Sequence, residues 1–437
     1  MERDEVGSRP ARLSKDGFGP ALRKGLGRAA LLLRREPRDP GLNAELLQAC
    51  RRNLTYDKQC EASRVPYLYE LIRLTGQAGA YREALEAQLR AATRADPASD
   101  TAQVFGILCR LAHEDGAGQA TLRDFVLATE DRTLAMAGAW ELVRLQGLDA
   151  LLACVHRFGP EIAEEPGLVR SMACELEERD GAPVAAAALE RARRDDPEFD
   201  RLMGLAEAEV KGNEGAVAAS GYAALRAEVE RGARKYFPHA WIKNASQAEI
   251  GRVAEDLAAE TDETKAAAYL TVFRGRTFPG DPTRLFRLLD SGNRRVVYAA
   301  ASVLGRVSHP AIRGLALRLI AEERPAVGAR LLRSSHGEGD LALFRTLLDQ
   351  LALDEDAYHD VGLSALAVIE RGAEKPEEAR AILLHLYENE PCSLCRGHAV
   401  DLLAAAGGVP DWMAEEGCYD AEPGVAERFR PAAPRNP

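Results

Sequence analysis

The chain has 437 residues, of which 46% are hydrophobic and only 6% are aromatic. This length suits two or three domains or one extended repeat array, and a core rich in Ala, Leu and Val favours helices over sheets. A charged fraction of 29% argues against large-scale disorder. No apolar run approaches the roughly 20 residues that a membrane span needs.

Charge is unevenly distributed along the chain, although the net charge is −11 at pH 7. Residues 1–60 hold 13 Lys and Arg against 8 Asp and Glu, and residues 274–333 hold 12 Arg against 4 acidic residues. Such segregation predicts faces of opposite sign that could steer a partner. The first residues lack the basic and apolar regions of a secretion signal, so we expect a cytoplasmic protein.

Apolar residues recur at three- and four-residue spacing along nearly the whole chain, which predicts helices and no strands. Prolines stand where helices would begin, as in Asp39-Pro40, Asp281-Pro282 and His309-Pro310. In chain order, we predict a flexible lead at 1–19, an N-terminal helical-hairpin array at 20–240, a C-terminal array at 241–430 and a tail at 431–437. The first helices are predicted over 21–36 and at about 42–53, 65–75 and 80–95.

Two stretches resemble known helical repeats. The segment from Gly79 to Asp96-Pro97 resembles the second half of a tetratricopeptide repeat. A clearer resemblance spans 281–335, where Asp-Pro-Thr-Arg-Leu-Phe-Arg-Leu-Leu-Asp leads through Ser291-Gly292 to a segment that closes with Ala-Ala-Ala-Ser-Val-Leu-Gly. This looks like the short bacterial HEAT-like repeat, also known from PBS-lyase-type proteins. The resemblance implies an all-α fold, an extended α-solenoid of antiparallel helical hairpins.

An aromatic segment interrupts the helical pattern near residue 240. Its candidate binding residues are Tyr236, Phe237 and Trp241. Large aromatic residues are buried at a join between two arrays or serve as exposed contact points for a partner. We expect burial at a join, and we keep the exposed contact as the alternative.

The tightest metal-ligand candidate is the Cys-x-x-Cys pair Cys392 and Cys395, with His398 and Cys418 as further ligands. Thiolates and imidazole converging tetrahedrally would bind zinc. The alternative is that the two cysteines pack a helix interface as small apolar side chains. We therefore expect no cofactor and treat zinc as the one candidate. A second, oxygen-rich segment at 354–360 lacks the glycine of a calcium loop and is better explained as the acidic first turn of a helix.

The arginine-rich segment 274–333 is the main candidate binding surface. Arginine binds carboxylates and phosphates through two parallel hydrogen bonds, and equivalent arginines on stacked hairpins would line one surface. The alternative is that they pair with acidic residues of neighbouring repeats. The candidate residues are Arg284, Arg287, Arg294, Arg295, Arg313 and Arg318.

Function is predicted from these features together. Gly-x-Ser-x-Gly, P-loop and His-Glu-x-x-His motifs are absent from the sequence. We expect a non-catalytic scaffold or regulatory adaptor that presents a solenoid surface to a partner protein with an acidic surface. The first alternative is a nucleic-acid-binding HEAT protein with the architecture of a DNA glycosylase, and the second is a protein that modifies a client as bilin lyases do.

Overall fold

The computed structural model describes residues 13–93, 97–218, 221–232, 239–351, 354–372 and 375–430. Within these ranges the protein is all-α and contains no strand, which confirms the predicted fold class. No helix in the described ranges is long and apolar enough to cross a membrane. Residues 1–12 of the predicted lead and the predicted tail at 431–437 lie outside the described residues.

The first half of the chain begins with a 3-10 helix, Lys15–Gly17, and continues with α-helices α1 to α12. Their bounds are Phe18–Lys24 (α1), Arg28–Arg35 (α2), Pro40–Arg51 (α3), Val65–Thr75 (α4), Ala78–Ala91 (α5), Ala98–Asp115 (α6), Gln119–Ala128 (α7), Arg132–Gln146 (α8), Leu148–Glu164 (α9), Gly167–Asp180 (α10), Ala182–Asp195 (α11) and Pro197–Ala218 (α12).

The second half contains one further 3-10 helix, Pro282–Asp290, and α-helices α13 to α25. Their bounds are Tyr222–Glu230 (α13), His239–Asn244 (α14), Gln247–Ala259 (α15), Glu263–Val272 (α16), Arg294–Leu304 (α17), Pro310–Ala321 (α18), Pro325–Ser335 (α19), Asp340–Gln350 (α20), Glu355–Glu370 (α21), Pro376–Asn389 (α22), Ser393–Ala405 (α23), Asp411–Gly417 (α24) and Pro423–Phe429 (α25).

The described residues form two compact units. Unit 1 comprises those within Met1–Lys211, Cys392–Gly397 and Val409–Pro437, and unit 2 those within Gly212–Pro391 and His398–Gly408. The chain therefore divides at Lys211, whereas the sequence suggested a boundary near 240. The C-terminal segment of unit 1, which comprises the described residues within Cys392–Gly397 and Val409–Pro437, belongs to the same unit as the first helices. The sequence pattern did not indicate this association.

Unit 2 is built from helical hairpins that stack in chain order. Helix α18 packs against α19 and α20 against α21, while α17, α19 and α21 pack on one another in sequence. Contacts between elements close in sequence are typical of a repeat array. Pro282, Pro310 and Pro376 lie in the first turn of their helices, where a proline sacrifices no intrahelical hydrogen bond.

In unit 1, the helix predicted over 21–36 is in fact two helices, because Gly25 adopts a left-handed conformation with φ of 73° and ends α1. Close packing also requires glycine here. A Cβ added to Gly25 would lie 1.4 Å from Arg64 Nη1, and one added to Gly27 would lie 1.7 Å from the carbonyl oxygen of Glu416. The folded region begins before residue 20, because Phe18 opens α1 with a fully buried side chain.

Two buried arginines hold α1 and α2 against the C-terminal segment of unit 1. Arg28 donates two hydrogen bonds to Glu416, with Nε–Oε2 and Nη2–Oε1 distances of 3.0 and 2.9 Å. Arg396, which is fully buried, donates to Asp420 with an Nη2–Oδ1 distance of 2.7 Å and to the carbonyl of Lys24 at 2.8 Å. Buried charges are tolerated when they are paired in this way, so these pairs fix the C-terminal segment onto the first helices.

Candidate binding groove and the predicted sites

The predicted cysteine pair lies at the start of α23, in unit 1. The Sγ atoms of Cys392 and Cys395 are within 4.8 Å of each other. Cys418 does not belong to this cluster. Its Sγ lies 3.0 Å from the carbonyl oxygen of Glu415, and burial raises the pKa of its thiol. The structure thus brings two of the four predicted zinc ligands together and gives Cys418 a partner on α24, the helix that it follows.

His398, the fourth predicted zinc ligand, belongs to unit 2. Its Nε2 lies 3.8 Å from Glu370 Oε1, and more than a third of the side chain is exposed. This arrangement is that of a surface His beside a carboxylate.

Several arginines of the 274–333 segment hold neighbouring hairpins of unit 2 together. Arg287 donates to the carbonyl of Glu260 at the end of α15. Arg313 binds both carboxylate oxygens of Asp340, at 2.8 and 3.3 Å. Each bond links residues about one hairpin apart in the chain. The side chains of Arg287 and Arg313 therefore stabilise the stacking of the hairpins.

A second group connects α17, α19 and α21. The Arg330 guanidinium lies 5.1 Å from the centre of the Tyr298 ring and pairs with Asp360. Arg294 approaches the same ring at 5.3 Å, a distance at which a cation and an aromatic face attract each other. Asp360 is in the helix predicted from the acidic segment, since α21 begins after Asp354, whose side chain accepts a hydrogen bond from the amide of Ala357.

The remaining predicted arginines, Arg284, Arg295 and Arg318, are exposed. Their side chains make no hydrogen bond or ion pair with any residue that the structure describes. The segment therefore contains both inter-hairpin contacts and arginines available to a partner, and the sequence could not separate the two groups.

The aromatic candidates near residue 240 are only in part described. Tyr236 and Phe237 lie outside the described residues. Trp241, on α14, is 5% exposed. Little of the Trp241 ring is therefore exposed to a partner.

A concave site in the described part of unit 1 is a groove between α3, α5 and α6, which we call the α3–α5–α6 groove. It encloses about 660 Å³. Its floor contains the buried side chains of Leu89, Thr101 and Val104. Four alanines on or beside α5 line one wall of the groove, where their short side chains fill little space. The other lining residues are Pro97 and residues that have polar or charged side chains. The lining residues outside the floor are Gln48, Arg51, Arg52, Ala84, Ala87, Gln88, Ala91, Ala92, Pro97 and Asp100.

Side-chain hydrogen bonds position the charged end of this groove. Gln103, which is 5% exposed, donates to the carbonyls of Ala49, Cys50 and Arg52 at 2.9 to 3.0 Å. These are carbonyls at the end of α3, which have no partner within their own helix. Gln88 donates from α5 to the carbonyl of Arg51 at 3.3 Å. The end of α3 is thus fixed against both neighbouring helices.

Two arginines that line the groove have side chains without an ion-pair partner in the described structure. Neither Arg51 nor Arg52 forms an ion pair with any described residue. Arg51 Nε and Gln88 Oε1 are buried atoms of the groove lining that have no hydrogen-bond partner within the described structure. Unmade hydrogen bonds of buried groups cost about 1–3 kcal/mol each, so a ligand that supplied an acceptor to Arg51 would be stabilised here.

No protein-family model, curated protein or solved structure matches this chain. The assignment of a site therefore depends on geometry and chemistry alone. The groove was not among the sites predicted from the sequence, although two features of the sequence point towards it. Adjacent arginines stand at the end of a predicted helix, and the alanines belong to the stretch that resembles a tetratricopeptide repeat.

Proposed function

We propose that the protein is a non-catalytic scaffold of stacked HEAT-like hairpins that holds an acidic peptide segment of a partner protein in the α3–α5–α6 groove. The observation that carries the proposal is the pair Arg51 and Arg52, which line the groove without a carboxylate partner among the described residues. Recognition of acidic segments by arginine clusters is an established mode of peptide binding.

The groove suits a peptide better than a compact small molecule. It is open and lined by alanines, so that a chain can lie along it, and its floor offers apolar contact to side chains between the acidic ones. A guanidinium can hold a carboxylate through two parallel hydrogen bonds. Specificity would then come from the spacing between the carboxylates and the apolar residues of the peptide.

Nucleic-acid binding is supported less well. It needs many phosphate contacts along one surface, whereas Arg287, Arg313 and Arg330 are engaged in bonds between hairpins of unit 2. The exposed Arg284, Arg295 and Arg318 leave this function as the alternative outcome of the binding tests.

Charge reversal in the groove tests the proposal. We expect that the purified chain binds short fluorescein-labelled peptides rich in Glu, Asp and Leu, as measured by fluorescence anisotropy, and does not bind the same peptides with Gln and Asn in place of the acids. The double variant Arg51→Glu/Arg52→Glu should lower the affinity about a hundredfold. Each lost hydrogen bond to a charged group contributes about 1.5–3 kcal/mol, and about 1.4 kcal/mol is a factor of ten.

A matched control is the double variant Arg35→Glu/Arg38→Glu. Arg35 and Arg38 are exposed, as Arg52 is, and they belong to unit 1. Their replacement changes the net charge by the same amount, but they do not line the groove. The control should bind the acidic peptides nearly as well as the unaltered chain. Equal losses in both variants would mean that only net charge matters and would refute the groove. Tighter binding to a labelled DNA duplex than to every peptide would favour the alternative.

A further inference from the structure

The start of α23 holds two thiols within one turn of the chain. Cys392 directly precedes the helix and Cys395 lies in its first turn. The amide of Arg396 donates a hydrogen bond to the carbonyl of Cys392 at 3.0 Å, and the two Sγ atoms are within 4.8 Å of each other. Two intervening residues are the spacing found in disulfide oxidoreductases. Side-chain rotation can therefore bring the sulfurs to the roughly 2.05 Å of a disulfide bond.

The two cysteines differ in their access to solvent. Cys395 is partly exposed, and Leu394 beside it is 48% exposed. Cys392 is only 3% exposed. A reagent in solution therefore reaches the sulfur of Cys395 first, whereas Cys392 can react only with a group that is already bound to its neighbour. This difference sets the order in which the two thiols act.

Other segments of unit 1 hold the turn that carries the thiols. The backbone amide of Ser393 donates to Glu61 Oε2 at 2.8 Å. Arg396, next to Cys395, is fully buried and donates to Asp420 and to the carbonyl of Lys24. The backbone on both sides of the pair is thus fixed. Two reacting groups that are held close together react in an effectively unimolecular step, so this arrangement favours a bond between Cys392 and Cys395 over a bond from either one to a second molecule.

We propose that Cys392 and Cys395 form a reversible dithiol–disulfide site that is oxidised by low-molecular-weight disulfides. The pair is a site of covalent modification, and it requires no metal ion. The inference is independent of the α3–α5–α6 groove and of the peptide that the groove is proposed to hold.

The reaction consists of two thiol–disulfide exchanges. The Cys395 thiolate attacks one sulfur of the small disulfide, so that its S–S bond breaks, a mixed disulfide forms on Cys395 and one small thiolate leaves. The Cys392 thiolate then attacks the Sγ atom of Cys395, and the second small thiolate leaves. The two cysteines lose two electrons and two protons, and the small disulfide gains both as it becomes two thiols.

Equilibration of the reduced full chain with mixtures of oxidised and reduced glutathione tests the proposal. After free thiols are blocked with N-ethylmaleimide in denaturant, trypsin releases the peptide 381–396, which contains Cys392 and Cys395 and no other cysteine. Mass spectrometry should show this peptide lighter by two hydrogens and without glutathione as the oxidised fraction rises. Dithiothreitol should restore both thiols. This measurement uses the unaltered chain, so it does not depend on the folding of a variant.

Single variants test the order of the two steps. Cys392→Ser should accumulate glutathione on Cys395 about tenfold more than the unaltered chain, because no second thiol releases it. Cys395→Ser should leave the buried Cys392 unmodified. The matched control is Cys174→Ser, which removes an exposed cysteine elsewhere in unit 1 and should leave oxidation of the pair unchanged.

Three results would overturn the proposal. The first is a peptide 381–396 that stays reduced in every glutathione mixture. The second is a stable glutathione adduct on Cys395 of the unaltered chain in place of the disulfide. The third is a disulfide that joins Cys395 to a cysteine other than Cys392. Rapid addition of glutathione to Cys392 in Cys395→Ser would overturn the order of attack.

Discussion

Replacing Asp420 by Asn is expected to destabilise unit 1 by about 3–5 kcal/mol, the typical cost of removing one partner from a buried ion pair. Asp420 and Arg396 have fully buried side chains, and the carboxylate accepts two hydrogen bonds from the guanidinium. An Asn amide can accept only one of them, and its NH₂ group would face a second donor. The positive charge of Arg396 would then lose the carboxylate that is paired with it.

The neighbourhood makes this loss larger. Burial lowers the pKa of Arg64, and the nearby charge of Arg396 lowers it further, so two buried guanidinium groups already repel each other here. Asp420 is the carboxylate that offsets this repulsion at Arg396. We expect the effect in urea unfolding followed by circular dichroism, together with faster amide hydrogen exchange in α1.

The matched control for this experiment is Glu427→Gln, an exposed carboxylate seven residues away on α25. Exposed charges contribute about 0–1 kcal/mol, so this variant should unfold at nearly the same urea concentration as the unaltered chain. A loss in Asp420→Asn no larger than that in Glu427→Gln would contradict the role assigned to the buried pair.

Replacing Gly305 by Ala is expected to destabilise unit 2 by about 1–3 kcal/mol, the usual cost of overpacking. A Cβ at this position would lie 2.2 Å from the carbonyl oxygen of Arg330, which is backbone of α19 and cannot rotate away. Helices α17 and α19 would have to separate at the point where the Arg330 side chain connects them. Thermal unfolding followed by circular dichroism measures the loss.

Replacing Gly314 by Ala is expected to stabilise unit 2, in contrast to Gly305→Ala. Gly314 lies on the exposed side of α18, and a Cβ there would meet no atom within 4 Å. Alanine in a helix interior is more favourable than glycine by about 0.5–1 kcal/mol. If Gly305→Ala were as stable as Gly314→Ala, the close approach between α17 and α19 would not exist in solution.

Helix positions follow from the sequence where the signals are local. Apolar spacing and proline placement gave the helices over 65–75 and after Pro310 correctly, because those signals depend on neighbouring residues. The break at Gly25 was missed, since an apolar pattern continues across it. Glycine is required at this position because Arg64 and the C-terminal segment pack closely against it, and both are distant from Gly25 in the chain.

The candidate sites show the same limit. Composition marked 274–333 as arginine-rich, but the pairing of Arg313 with Asp340 depends on how hairpins stack. Arg51 and Arg52 of the α3–α5–α6 groove have no carboxylate partner among the described residues. This can be recognised only when the positions of the neighbouring helices are known.

Site-specific photocrosslinking tests the central claim most directly. A benzophenone amino acid at Ala87, which lines the groove, should crosslink to the acidic peptide with the highest affinity, and excess unlabelled peptide should suppress the reaction. The same group at Ala80, which is exposed on α5 outside the lining, should give little crosslinking. Equal crosslinking at both positions, or an adduct at Ala87 that persists after Arg51→Glu/Arg52→Glu has abolished binding, would contradict the proposal that the groove holds an acidic segment.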